Sequence, residues 1–223
     1  MKNLIALSII TALLASSCSV FKGSSATKKF EGKITYEITY PESSMPEAQQ
    51  QQLPTNLTLY VKDNKVKSEM ITGMFTRKTI KDAEQQKATT LLEIMGQKYA
   101  IEQTKEDIQE QIEEQGNPEV QVTDETKEIA GYECKKAVVT SEDGEKQDIY
   151  FSPEIGSSAL NFDSPAYKQI DGIPLEYRMK TNMFTMKLAA TEIEKKKIKE
   201  ENFAIPEDYK KVTQEELQNM LGQ

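Results

Sequence analysis

The amino-acid sequence predicts a mainly β fold with minor α, built from short strands that follow one another as antiparallel neighbours. Three observations predict it. Phe30, Gly32, Ile34, Tyr36, Ile38 and Tyr40 alternate strictly with more polar residues, the period of a strand with one buried face. Short alternating runs then recur along the chain, separated by turn pairs such as Asp63-Asn64, Thr72-Gly73, Gly96-Gln97 and Asp143-Gly144. Helix-capping signals are few, at Thr104–Gln115 and among the last residues. Strands at this spacing argue a sandwich, a barrel or a curved open sheet.

The elements follow in order. Residues 1–17 form a signal segment: Lys2 is the positive start, Leu4 to Leu14 an apolar run, and Ala15, Ser16 and Ser17 small residues before Cys18. The run is too short to span a membrane, which takes about 20 apolar residues. It resembles a lipoprotein signal, although Ala15 stands where Leu is usual and Leu14 lies one position further back. An ordinary secretory signal is the alternative. The resemblance implies that Cys18 is lipidated, that 18–29 is a tether, and that the chain is held on a membrane by its acyl chains. Ser19, where Asp would imply inner-membrane retention, points to the outer membrane of the cell envelope, facing the periplasm.

A single antiparallel β domain is expected over 30–212. The first strand runs from Phe30 to Tyr40, and Pro41 to Pro54 reads as a loop or short helix. Leu57, Leu59 and Val61 alternate again, Asp63-Asn64 turns to Val66, Ser68 and Met70, and Thr72-Gly73 leads into Phe75 to Lys81. Thr89 to Met95 and Tyr99 to Gln103 complete a meander. A polar helical excursion over 104–116, capped by Thr104, has only Ile108 and Ile112 as an apolar pair. Strand character resumes at Val120 and Val122, through Ile129 to Lys136, at Ala137 to Thr140 and at Asp148 to Ser152. Pro153 to Pro165 is irregular, and Leu175 to Lys180 and Met183 to Ile193 are strands. A Thr213/Glu216 capping box opens a short helix over 213–223.

Composition narrows the function. Hydrophobic residues make up 37% of the 223 and charged residues 29%, which fits one domain with a modest core. The net charge is -8 and Arg occurs only at Arg77 and Arg178, which argues against nucleic acid. There is no His, so the usual general base and the commonest zinc ligand are missing. With no Gly-rich phosphate loop and no calcium-loop spacing, neither a metal nor another cofactor is expected. Asn56-Leu57-Thr58 matches a glycosylation sequon by chance. The many carboxylates lie in turns and solvated stretches. A glycosidase-type pair would need burial or a partner to shift a pKa, and the sequence names none. No enzyme is expected. Cys134, without a partner once Cys18 carries lipid, reads as a buried strand residue; the alternative is a reactive thiol.

Two apolar clusters remain as candidates. Met70, Ile71, Met74 and Phe75 surround one turn, and such an apolar hairpin tip can insert into a membrane or touch an apolar ligand, or fold back onto the core. Met183, Phe184 and Met186 form a second soft patch on a late strand.

Four stretches carry a family resemblance: Phe30-Glu31-Gly32-Lys33-Ile34, Ile129-Ala130-Gly131-Tyr132-Glu133-Cys134-Lys135-Lys136, Gly172-Ile173-Pro174-Leu175, and Phe203-Ala204-Ile205-Pro206 with Tyr209. In that order they resemble an uncharacterised family of secreted and lipid-anchored envelope proteins. Their layout is similar to the lipoprotein-carrier (LolA/LolB-like) group. The resemblance implies a curved antiparallel sheet, a half-barrel, with a few short helices. It also implies that acyl chains are held on the concave side, and no catalytic residue transfers. The chain departs from the carriers in its low apolar content and in lacking long apolar helices, which implies a shallower groove or none.

Two readings lead. A non-enzymatic module binding an apolar ligand such as acyl chains would line its pocket with Ile34, Tyr36, Leu59, Phe184 and Met186. A structural or interaction lipoprotein would dock another envelope protein through Met70, Ile71, Met74 and Phe75. An enzyme is the third and weakest.

Overall fold

The computed structural model describes residues 30–181 and 183–221. The signal segment, Cys18, the tether and Asn182 lie outside the described residues. Among the described residues twelve strands form one sheet: β1 (Gly32–Ser43), β2 (Asn56–Lys62), β3 (Lys65–Ile71), β4 (Phe75–Asp82), β5 (Lys87–Ile94), β6 (Gln97–Gln103), β7 (Glu119–Ile129), β8 (Tyr132–Thr140), β9 (Lys146–Ser152), β10 (Ile173–Lys180), β11 (Phe184–Lys195) and β12 (Lys210–Lys211). The helices are α1 (Glu47–Gln50), α2 (Lys105–Glu114) and α3 (Gln214–Leu221).

The sheet is open, with order β12-β6-β5-β4-β3-β2-β1-β11-β10-β9-β8-β7. Two meanders, β1 to β6 and β7 to β11, join where β1 pairs with β11. Every pairing is antiparallel except that of β12 with β6. The topology requires curvature. β6 and β7 are ten strand spacings apart, about 48 Å in a flat sheet. The connection between them holds the ten residues of α2 and five others, which reach about 35 Å at full stretch. The sheet therefore bends so that its edges approach. The fold class predicted from sequence is thus the one observed, as a curved open sheet.

Register defines the two faces. Ile34 lies opposite Leu59 and Tyr36 opposite Leu57, while Val61 faces Val66. These residues, with Leu175 and Leu188, form the largest core cluster on the inner face. The irregular segment 153–172 covers that face: Ile155 and Leu160 join the cluster, and Asp163 reaches across to pair with Lys81 of β4. After β11 the chain crosses the outer face as a strap. Ile198, Phe203 and Tyr209 cover Ile80, Leu91 and Ala100, and the strap ends by adding β12 to the β6 edge.

Local chemistry agrees with these elements. Thr104 caps α2 in a capping box with Asp107, and Thr213 and Glu216 exchange the same pair of bonds ahead of α3. Ala130 and Gly131 both have positive φ, as do Met95 and Gly96, which is the geometry of a tight two-residue hairpin turn. Two expected boundaries move accordingly. Ile129 to Lys136 is not one strand but the end of β7, a turn and the start of β8. The turn before β6 is Met95-Gly96 rather than Gly96-Gln97.

Candidate functional site

Of the five residues expected to line an apolar pocket, two are closed off from solvent and three are half-buried. Ile34 and Tyr36 are fully buried at the centre of the core, and Leu59 and Met186 are half-buried against it. Phe184 packs edge-on against Tyr40, ring centres 5.4 Å apart. The physical reason is the 153–172 segment. The alternation of β1 identifies an inner face correctly, but nothing local announces that a distant irregular stretch fills it.

The four stretches behind the family resemblance are packing devices. A Cβ on Gly32 would meet the Glu194 oxygen at 2.2 Å, so glycine there lets β11 approach β1 closely. Gly172, at φ +150°, would place a Cβ 2.3 Å from the Ser152 oxygen. The buried Asn161 side chain donates to the Gly172 carbonyl at 2.8 Å, and Leu175 is fully buried. Cys134 is buried in the central cluster and bonded weakly to the Tyr132 carbonyl, and burial pushes its thiol up to about 11. Phe203 and Tyr209 belong to the strap.

One rim of the sheet is exposed and apolar. β1 enters at Gly32 and runs toward Ser43; by antiparallel alternation the β3–β4, β5–β6 and β10–β11 turns all lie at that far end. They carry Ile71, Met74, Met95 and Met183, which are 62, 61, 91 and 56% exposed. With Met179, five of the eight exposed large apolar side chains among the described residues sit there. Of the tip expected from sequence, Ile71 and Met74 project, Phe75 is half-buried and Met70 packs against the core. A depression of about 190 Å3 separates the β3–β4 and β5–β6 tips, with Met74, Phe75 and Met95 beside Glu93 and Lys98. Sequence reasoning missed Met95. The signal was available: a methionine in the first position of a turn before Gly96, where Asn or Gly would avoid the cost of positive φ.

At the opposite end a second hollow of about 350 Å3 lies between α2 and residues 158–168. Among the described residues, no three His, Cys, Asp or Glu side chains gather as a metal site, and no helix is long and apolar enough to cross a membrane.

Comparison with known proteins follows the fold. No curated protein matches the chain. A solved structure titled "Structure of PNGF-II in C2 space group" aligns over 87% of this chain at 12% identity with a TM-score of 0.53. The chain spans about a third of that structure's length, 33%. A crystal structure of MucB aligns over 82% of this chain and 60% of its own length, at 9% identity and a TM-score of 0.39. Residues 30–170, more than half of the 223, match one family along their whole length, and the chain belongs to the family described as Domain of unknown function (DUF4412).

Proposed function

We propose that this protein is a non-enzymatic, lipid-anchored docking module of the cell envelope. Cys18 holds it by acyl chains to the outer membrane, facing the periplasm, and the methionine-rich rim engages a partner envelope protein. The observation that carries the reading is Met95, an almost fully exposed apolar side chain held at positive φ on the tip of a hairpin. Neither packing nor turn chemistry favours methionine there, whereas a soft contact surface does. The rim lies at the end of the sheet away from Gly32, where the tether would enter, so the fold would aim it away from the anchoring membrane. The closed inner face favours this reading over an acyl carrier on the concave side.

The test is site-specific photo-crosslinking of the full chain in its own membrane, with the probe replacing Met95 or Met183. One discrete protein adduct from both rim positions, absent with the probe at Asp63 of the opposite end, supports the reading. Adducts of twice the chain mass would mean self-association, and lipid-only adducts membrane contact. Either would overturn it, as would no adduct at all.

A further inference from the structure

The hollow at the Gly32 end of the sheet is independent of the methionine-rich rim and has its own chemistry. α2 carries five carboxylates, Glu106, Asp107, Glu110, Glu113 and Glu114, and a single cation, Lys105. Helical spacing puts Lys105, Ile108, Gln109 and Ile112 on one face, and that is the face lining the hollow; the acids are turned elsewhere. Across from it, residues 158–168 contribute Ala159, Phe162 and Lys168. Ile108 is the buried floor, while Ile112 and Phe162 are half-buried walls. Both lysines are exposed, and neither has a carboxylate partner among the described residues, in a chain whose net charge is -8. The volume of about 350 Å3 falls within the range of about 300–1,000 Å3 of small-molecule sites.

From this pairing of an apolar floor with two free cations at the rim, we propose that the hollow binds an anionic amphiphile. Its short apolar segment would lie on Ile108, Ile112 and Phe162, and its carboxylate or phosphate would lie between Lys105 and Lys168. A purely apolar ligand would leave both lysines without a role, and a purely polar anion would leave the floor bare. The β4–β5 turn, which supplies Gln86 to the hollow, is at the same end of the sheet as Gly32. If Cys18 is anchored as proposed above, the hollow is on the membrane side; the ligand chemistry does not depend on that.

The full chain is reconstituted in phosphatidylcholine vesicles holding a small fraction of phosphatidylglycerol with a diazirine in its acyl chain. A parallel sample carries the same tail on phosphatidylcholine. After irradiation, labelled peptides are mapped by mass spectrometry. Label on the peptides holding Ile108–Ile112 and Ala159–Phe162, at least fivefold higher with the anionic head, is expected. Lys105→Glu with Lys168→Glu should remove that preference while leaving the thermal midpoint in place, and Lys105→Gln with Lys168→Gln should weaken it. Competition by free laurate would identify a free carboxylate ligand; persistence of the label would identify a membrane-held head group. Label that ignores the head group, maps elsewhere, or survives charge reversal overturns the proposal. Rim crosslinks at Met95 should be indifferent to these lysine variants, so the two proposals fail separately.

Discussion

The Tyr36 hydroxyl donates to the Pro174 carbonyl at 2.8 Å, with both residues buried. The bond reaches from β1 across β11 to β10, so it ties together the two meanders at their junction. Burial holds the phenol well above its ordinary pKa and keeps it a donor. It also explains why Tyr36 is unavailable to a ligand.

Tyr36→Phe leaves the Pro174 oxygen without that donor in a dry interior. The expected cost is about 1–3 kcal/mol, read as a lower urea midpoint at unchanged slope. A Tyr36→Phe chain as stable as the original would mean that water reaches this oxygen.

Gly172→Ala is expected to be worse than an ordinary surface change. The added Cβ meets the Ser152 carbonyl, and φ +150° is a conformation that L side chains rarely adopt. A loss of roughly 3 kcal/mol in equilibrium unfolding is expected. Gly73→Ala, whose Cβ would meet nothing, is the control and should be near neutral.

Cys134 should resist thiol reagents in the folded chain at pH 8 and react on unfolding. Its folded pKa of about 11 lies above the ordinary value near 9.0, so in that interval the unfolded chain ionises and the folded one does not. Stability from this group is complete below pH 9 and falls as pH rises toward 11. Cys134→Ala should flatten that part of the pH profile.

Acid should loosen the strap first. Glu93 is held below its ordinary 4.5, chiefly by the Tyr209 hydroxyl and then by Lys78; Glu200 is lowered by Lys62 and Lys65, and Asp208 by Lys98. Depressed carboxylates stabilise the fold above their unfolded pKa, and that contribution is lost as pH falls below about 4.5. Amide exchange at Ile198 and Val212 should therefore rise between pH 4.5 and 3 before exchange in β1 does. Tyr209→Phe should raise strap exchange already at neutral pH and flatten its dependence between pH 4.5 and 3.

Cys18→Ser should abolish incorporation of a palmitate analogue and release the chain from the membrane fraction. Retention of either property would remove the anchored reading.

Much of the fold was legible because a strand's period of two is written in adjacent residues. β1, the hairpins at Asp63-Asn64 and Asp143-Gly144, the Thr104 cap and the Thr213/Glu216 box each depend on a handful of neighbours. The candidate sites were legible only in part. Ile71 and Met74 stood out as an apolar tip, but Ile34 and Tyr36 carry the same alternating signature whether their face is open or filled.

The local pattern therefore decided strand, turn and cap, and which side chains share a face. It could not decide that residues 153–172 would fill the inner face, that the strap would cover the outer one, or that Lys105 and Lys168, more than sixty positions apart, would line the same hollow. The approach of the sheet edges follows from a connection through α2 too short to span a flat sheet. Curvature is a property of the whole strand order, and no window of the sequence contains it.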